Sequence, residues 1–507
     1  MATFTERPMM SSSDILGHPR GLFMLFFVEM WERFSYYGMK ALLVLYLIDH
    51  FGFTDVRAYM IYGAYTALVY VTPVFGGALA DRYLGARQGV LLGACFLTFG
   101  HFLMAFEGEG GPQAPALRIF YLALAFIAVG VGFLKPNISV LVGALYTTHD
   151  KRRDAAFTLF YMGINLGGAL GPLASGVLAY AYGWAWGFAS AGVAMAIGTL
   201  VFIWGKPTLM GHGEAPDERD LRARRYGLSL RAWIWFGALA PTIVCWFLVQ
   251  HQQAVGWLLG LSGALLVAYI VAEAVIRLDP VDRDRIFAAL GLVLVAVFFW
   301  SLFEQAGSSL NVFTDRHVDR SLFGLDVPAA VFQSLNSIYI VLLGPLFAGL
   351  WTWLGSRGRE PSAPAKFGWA LLLLAGAFLS LSFAIIFMPG RLTPIVFIFL
   401  FYFLQTSGEL CLSPVGLSAM TRLSLPKMAG LVMGMWFFAN AAGNFVAALI
   451  AQATGEQSEA ATQVVGQVYG NVGWASAGIG VLVLLSAPVI RKLMHVGIDE
   501  VQGKPEK

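Results

Sequence analysis

Charge is what this 507-residue chain has least of: 12% of its residues are Asp, Glu, Lys or Arg, against about 25% in an ordinary soluble domain. Hydrophobic residues make up 58% and the mean hydropathy is +0.69. That balance excludes a water-soluble globular enzyme. Cysteine is also scarce. Cys95, Cys245 and Cys411 stand far apart in apolar stretches, which excludes a disulfide framework or a metal cluster and leaves them as small packing residues. No Gly-x-Ser-x-Gly, His-Glu-x-x-His or paired-aspartate motif lies within a span, and there is no Walker motif, so hydrolysis and ATP-driven work lack their residues. The net charge of +3 points to no nucleic-acid partner. The polar start, Met1 to Arg20, lacks the regions of a cleaved secretory signal, so the first apolar stretch is expected to remain as its own insertion signal.

Apolar stretches of about 20 residues recur along nearly the whole chain, the signature of an all-α polytopic membrane protein. Fourteen spans are expected, at about 21–48, 57–80, 88–106, 117–145, 155–181, 184–204, 230–249, 254–276, 286–314, 328–354, 367–388, 393–420, 428–453 and 470–490. An even number puts both termini on one side. That side carries 25 of the Lys and Arg residues, against five (Arg57, Arg118, Arg316, Arg320, Arg391) on the other. The positive-inside rule therefore makes both termini cytoplasmic, and it accounts for the basic clusters Lys151–Arg153 and Arg222–Arg231 without an anionic partner. Residues 205–229 are the longest polar interruption on that side. The expected division is a six-helix bundle in 1–204, a linker in 205–229, a helix hairpin in 230–276 and a second six-helix bundle in 285–495. This layout suggests a major facilitator fold with a central site between the halves.

Four carboxylates and three cations fall where hydrocarbon should be: Glu29, Glu32, Glu304, Glu409, Arg33, Lys40 and Lys135. A charge at mid-bilayer costs at least ~2.5–3.5 kcal/mol, so such groups persist when paired or facing water. Glu29, Glu32, Arg33, Tyr36, Tyr37 and Lys40 share an arc of about 140° on one helix face, with Glu29 and Arg33 at the i, i+4 spacing that lets side chains meet. The first half supplies buried cations, the second Glu304 and Glu409 without a matching base. A cleft between them has a basic wall and an acidic wall, which suits a zwitterion with separated ends. His101, with no charged companion nearby in sequence, reads as a core histidine.

The run Gly76-Gly77-Ala78-Leu79-Ala80-Asp81-Arg82-Tyr83-Leu84-Gly85-Ala86-Arg87 resembles the loop signature of the major facilitator superfamily, a tight turn in which Asp81 is expected to pair with Arg82, Arg87 or a helix end. Glu29-Met30-Trp31-Glu32-Arg33-Phe34-Ser35-Tyr36-Tyr37-Gly38, with Phe160-Tyr161-Met162-Gly163-Ile164-Asn165-Leu166-Gly167-Gly168-Ala169-Leu170-Gly171-Pro172, is similar to the proton-dependent oligopeptide transporter family. Phe133 to Asn137, Trp300 to Gln305, Gly408-Glu409-Leu410 and Ser413-Pro414 extend the resemblance over nearly the whole chain, and the extra helix pair resembles the bacterial branch. One departure is Lys40, where the family commonly has arginine; the charge survives but the bidentate fork does not.

The resemblance implies a symporter of di- and tripeptides in the bacterial inner membrane, monomeric, in contact with lipid, driven by protons without cofactor or metal. It implies Arg33, Lys135 and Lys40 near the peptide carboxylate, and Glu409, Asn165 and Asn336 near its amino group. Tyr36, Tyr37, Tyr70, Trp300 and Trp436 are expected to line side-chain pockets, with Tyr161 and Ser413 also at the substrate. For proton coupling the candidates are Glu29, Glu32 and Glu304, with Arg33 held by the first two until a peptide carboxylate competes for it. Lys135 or Lys40 paired with Glu304 is expected to close the cytoplasmic side, and Arg57 with Asp315 the opposite face. A symporter of another zwitterion or of an anion on the same scaffold is the alternative.

Overall fold

The computed structural model describes residues 14–147, 150–425, 428–455 and 461–495, so the first thirteen residues of the polar N-terminal stretch lie outside it. Fourteen long helices are found among the described residues. The first six are α1 (Arg20–Asp49), α2 (Asp55–Leu79), α3 (Ala86–Met104), α4 (Pro115–Ala144), α5 (Arg153–Tyr182) and α6 (Trp184–Gly205). A hairpin follows, α7 (Leu230–Gln250) and α8 (Gln252–Arg277). The last six are α9 (Pro280–His317), α10 (Ser334–Ser356), α11 (Ala363–Phe387), α12 (Val396–Leu423), α13 (Ala429–Gln452) and α14 (Ala461–Leu493). This is the expected major facilitator layout, two six-helix bundles with an extra hairpin.

Twelve of the helices are long and apolar enough to cross a membrane by composition; α1 and α3 are not. For α1 the reason is its own chemistry, since Glu29, Glu32, Arg33 and Lys40 put more than two charges in every 18-residue window. Helix starts follow local rules: Thr54 caps α2 by accepting from the Arg57 amide, and Asp279 caps α9 by accepting from the Asp282 amide (2.9 Å), followed by Pro280 at the first helical position. The hairpin is mostly exposed, with α7 packed on α4 and α8 lying between α2, α9 and α13. An outer face of that kind suits lipid.

A set of glycines decides how closely α1 and α5 pack. Gly163, Gly167 and Gly171 recur every four residues on α5 and meet α1, the small-residue spacing that lets membrane helices approach closely. A methyl group added at Gly167 would stand 2.9 Å from the Arg33 Cβ, and one at Gly38 of α1 would stand 3.1 Å from the Gly171 carbonyl oxygen. The glycine-rich motif of α5 is therefore a contact seam that sets the position of the charged face of α1.

At the end of α2 the chain runs through a π-type turn (Ala80–Leu84) into Gly85, whose φ of +74° suits glycine. The expected pairing of Asp81 is not found: its side chain is exposed and carries no ion pair among the described residues. Arg87 instead reaches the linker, bonding Glu214 (3.0 Å) and the His212 carbonyl (2.5 Å). The acid at the tip of the turn points outward while the base at the start of α3 points in.

Replacing Gly167 or Gly171 with Val should force α1 and α5 apart and cost about 1–3 kcal/mol of stability. Gly349→Val, in open space on α10, is the control that should leave the unfolding temperature of the purified protein unchanged.

Candidate functional site

Arg33 is the hub of the first cluster. Its Nη2 lies 2.7 Å from Glu29 Oε1 and its Nε 3.1 Å from Glu32 Oε2, with all three side chains almost wholly buried. Two acids thus share one guanidinium. Among the described residues, Glu29 Oε2 and both Glu32 oxygens have no hydrogen-bond partner, so the cluster keeps acceptor capacity in reserve. Lys135 on α4 lies over the Tyr70 ring of α2 (4.7 Å) and within electrostatic reach of Glu29, Glu32, Arg33 and Lys40. The sequence-predicted basic wall is thus assembled in one place from α1, α2 and α4.

The acidic wall comes from α9, α10 and α12. Glu409 accepts a hydrogen bond from the Asn336 amide (2.8 Å), which also donates to Thr406 (3.1 Å). Asn165 on α5 donates to the Tyr161 carbonyl one turn earlier (3.0 Å), and Tyr161 lies within electrostatic reach of Glu409. Tyr37 and Tyr70 join the walls, each within reach of Arg33 on one side and of Glu304 and Glu409 on the other. The Tyr36 ring stands edge-on to Tyr37 (5.4 Å). Trp300 and Trp436 are buried among second-bundle side chains, Trp436 beside Phe367 and Gly416 and Trp300 between Phe299, Phe303 and Gly443, rather than presented to open space. Ser413 is half-buried beside the exposed Pro414.

Glu304 occupies a break in α9, where a 3-10 turn (Glu304–Gly307) interrupts the helix before it resumes at Ser309. Gln405 of α12 donates to the Phe303 carbonyl (2.7 Å), satisfying a group that the break frees. Gly307 leaves room for the Tyr62 hydroxyl, which a side chain there would strike. The Lys40 Nζ sits 2.8 Å from Glu304 Oε2, a buried ion pair joining the two bundles. Asn311, beyond the break, donates to the Ala41 carbonyl (2.9 Å) and ties the same two helices.

This pair corrects one expectation. Lys40 lies two-thirds of the way along α1, and Glu304 is nearer His317 than Pro280, so the bond closes the face opposite the chain ends. Lys135 is not its partner. The outer pair also differs: Arg316 donates to both oxygens of Asp55 (2.8 and 3.0 Å), whereas Asp315 pairs with Arg320 (3.3 Å) and Arg57 stacks on Phe53 (3.8 Å). An offset of two residues on α2 and of one on α9 exchanges the partners. Tyr180 donating to Asp326 (3.2 Å) completes the set. Every ion pair between the first six and last six helices, among the described residues, lies toward this face. Asp55, Asn311 and Gln405 escaped the sequence reading; the small polar run Gln305-Ala306-Gly307-Ser308-Ser309 was the available sign of a broken helix.

A cavity of about 50 Å3 lies beside the Lys40–Glu304 pair, lined in part by Tyr37, Asn336, Tyr402 and Gln405. It has room for water but none for a peptide. Among the described residues no group of three or more His, Cys, Asp or Glu is arranged to hold a metal.

The POT family model matches residues 87–471. An uncharacterised transporter of Bacillus subtilis is 36% identical over 94% of this chain and 95% of its own length. A peptide transporter of Yersinia enterocolitica is 34% identical over 89% of this chain and 90% of its own. A dipeptide and tripeptide permease of Photorhabdus asymbiotica is 33% identical, covering 96% and 98%. Among solved structures, a POT peptide transporter bound to sulfate superposes with a TM-score of 0.82 at 33% identity, covering 96% of this chain and 97% of that one.

Removing one partner of a buried ion pair costs about 3–5 kcal/mol, because the other charge is stranded. Lys40→Met alone should therefore destabilise the protein more than Lys40→Met combined with Glu304→Gln. Thermal unfolding of the two variants and the parent checks it.

Proposed function

The chain belongs to the POT family, and from that premise we propose that it is a proton-coupled symporter importing di- and tripeptides by alternating access. The observation that carries this reading is the pair of opposed walls, Arg33 and Lys135 against Glu409 and Asn336, bridged by Tyr37 and Tyr70. A peptide zwitterion presents a carboxylate and an ammonium group at separated ends and satisfies both walls at once. An anion would meet Glu409 as a repulsive group, which favours the peptide over the anion alternative. Lys40 is tied across the bundles by Glu304. Lys135 carries no ion pair among the described residues and Arg33 is held only by acids of its own helix, so the peptide carboxylate falls to Lys135 and Arg33.

The coupling follows from the shared guanidinium. When a peptide carboxylate draws Arg33 away, Glu29 and Glu32 lose their counter-charge, and a proton restores neutrality to the released acid. Protonation of Glu304 removes the counter-ion of Lys40 and frees the face opposite the chain ends to open; its loss reseals that face. Proton entry is downhill by ~2.3 kcal/mol per 100 mV of membrane potential, so no cofactor is needed. In this reading the protein is a monomer in the bacterial inner membrane with both termini cytoplasmic. The closed face is then periplasmic. The bundles of 1–204 and 285–495 rock about the central site, with 205–229 as linker and 230–276 as a structural hairpin.

Proteoliposomes given an inward proton gradient should accumulate labelled dialanine. Glu304→Gln and Glu32→Gln should each abolish accumulation while preserving exchange of peptide for peptide. Accumulation against a gradient by either variant would defeat the coupling assignment.

Acetylating the peptide's amino end should weaken competition for uptake by roughly tenfold or more, the worth of one charge-assisted contact. In Glu409→Gln that difference should shrink; an undiminished difference places the ammonium site elsewhere.

A further inference from the structure

A second cavity, of about 400 Å3, opens at the face carrying the chain ends, away from the central site. It lies between the α10–α11 loop and the ends of α12 and α14, and Lys366, Arg422 and Arg491 all line it. Lys366 is only 6% exposed, in the first turns of α11. Its ammonium stands over the Trp351 ring (4.3 Å) and bonds Glu360 (2.5 Å). A cation there works against the helix dipole, whose positive end lies at the N-terminus. Burying a lysine in that place needs anionic compensation, and Glu360 supplies one charge from a side chain that is 44% exposed.

The two arginines are not compensated. Arg422 is oriented by a hydrogen bond to the Ser418 hydroxyl (3.0 Å), and neither it nor Arg491 pairs with a carboxylate among the described residues. Three cations and one acid leave a surplus of two positive charges around the cavity. The general basic bias of this face accounts for arginines at helix ends, but not for their convergence with a buried lysine on one cavity.

We propose that this cavity binds a phosphate group, carried by an anionic lipid headgroup or by a soluble phosphate. A phosphate has the charge to offset the surplus and enough oxygens to accept from both guanidinium groups and the ammonium group together. Basic pockets between membrane helices at a cytoplasmic surface take lipid headgroups in this way. Pro414 and Val415 also line the cavity, about one and a half turns beyond Glu409 on α12, so an occupant braces the helix that carries the acidic wall.

The test compares thermal unfolding of the full-length protein in phosphatidylcholine nanodiscs with phosphatidylglycerol added, and in plain nanodiscs with inorganic phosphate added. The parent should be stabilised in a saturable way in at least one arm, and the arm that responds identifies the source. Arg422 and Arg491 are exposed, so Arg422→Gln/Arg491→Gln should fold normally while its apparent affinity falls roughly a hundredfold, two charge-assisted contacts' worth. Arg357→Gln, which removes a charge from the same face outside the cavity, should bind as the parent does. No stabilisation of the parent in either arm, equal stabilisation of the double variant, or an equal loss in Arg357→Gln would overturn the proposal.

Discussion

The ion pair between Lys40 and Glu304 is the constraint around which the rest of the site is arranged. Neither charge can stay in a low-dielectric interior alone, and their helices belong to different bundles. The bundles must therefore meet at this level for as long as both groups are charged. Arg316 with Asp55 and Asn311 with the Ala41 carbonyl fasten the same face, but the first is a partly exposed pair and the second is uncharged. Among these bonds the buried pair is the one that strands a charge away from water when either partner is lost.

The backbone is shaped to make that pair possible. The glycine seam of α5 brings α1 close enough to orient its charged face inward, and the break in α9 turns Glu304 toward Lys40. Gly307 and Gln405 support the break, one by leaving space for Tyr62 and the other by donating a hydrogen bond to the freed Phe303 carbonyl. Polar groups with few partners cluster here, including the buried hydroxyls of Tyr36, Tyr62 and Tyr65. A tightly packed apolar interior would hold one conformation; this polar core tolerates a change of partners.

The arrangement also separates two electrostatic tasks. Arg33 with Glu29 and Glu32 is contained within α1, so its internal balance survives relative movement of the bundles. Lys40 with Glu304 spans the bundles and is broken by such movement. The first can respond to a ligand's charge and the second to the position of the halves, with Tyr37 and Tyr70 lying between them. The cavity around Lys366 adds a third charged region, outside the central path and at the opposite face.

Hydropathy and the spacing of charges along the chain determined the fourteen spans, the face of α1 that turns inward and the unequal charge of the two walls, because each is a one-dimensional pattern with a period. The α5 glycines were visible as a motif, though not as the seam against α1. Partner choice was a tertiary matter. Lys40 rather than Lys135 takes Glu304, Arg316 takes Asp55 while Asp315 takes Arg320, and Arg87 reaches Glu214 while Asp81 stays exposed. Those choices turn on offsets of a residue or two and, for Lys40 with Glu304 and Arg316 with Asp55, on helices brought together from more than 200 positions apart, distances that only packing in three dimensions resolves.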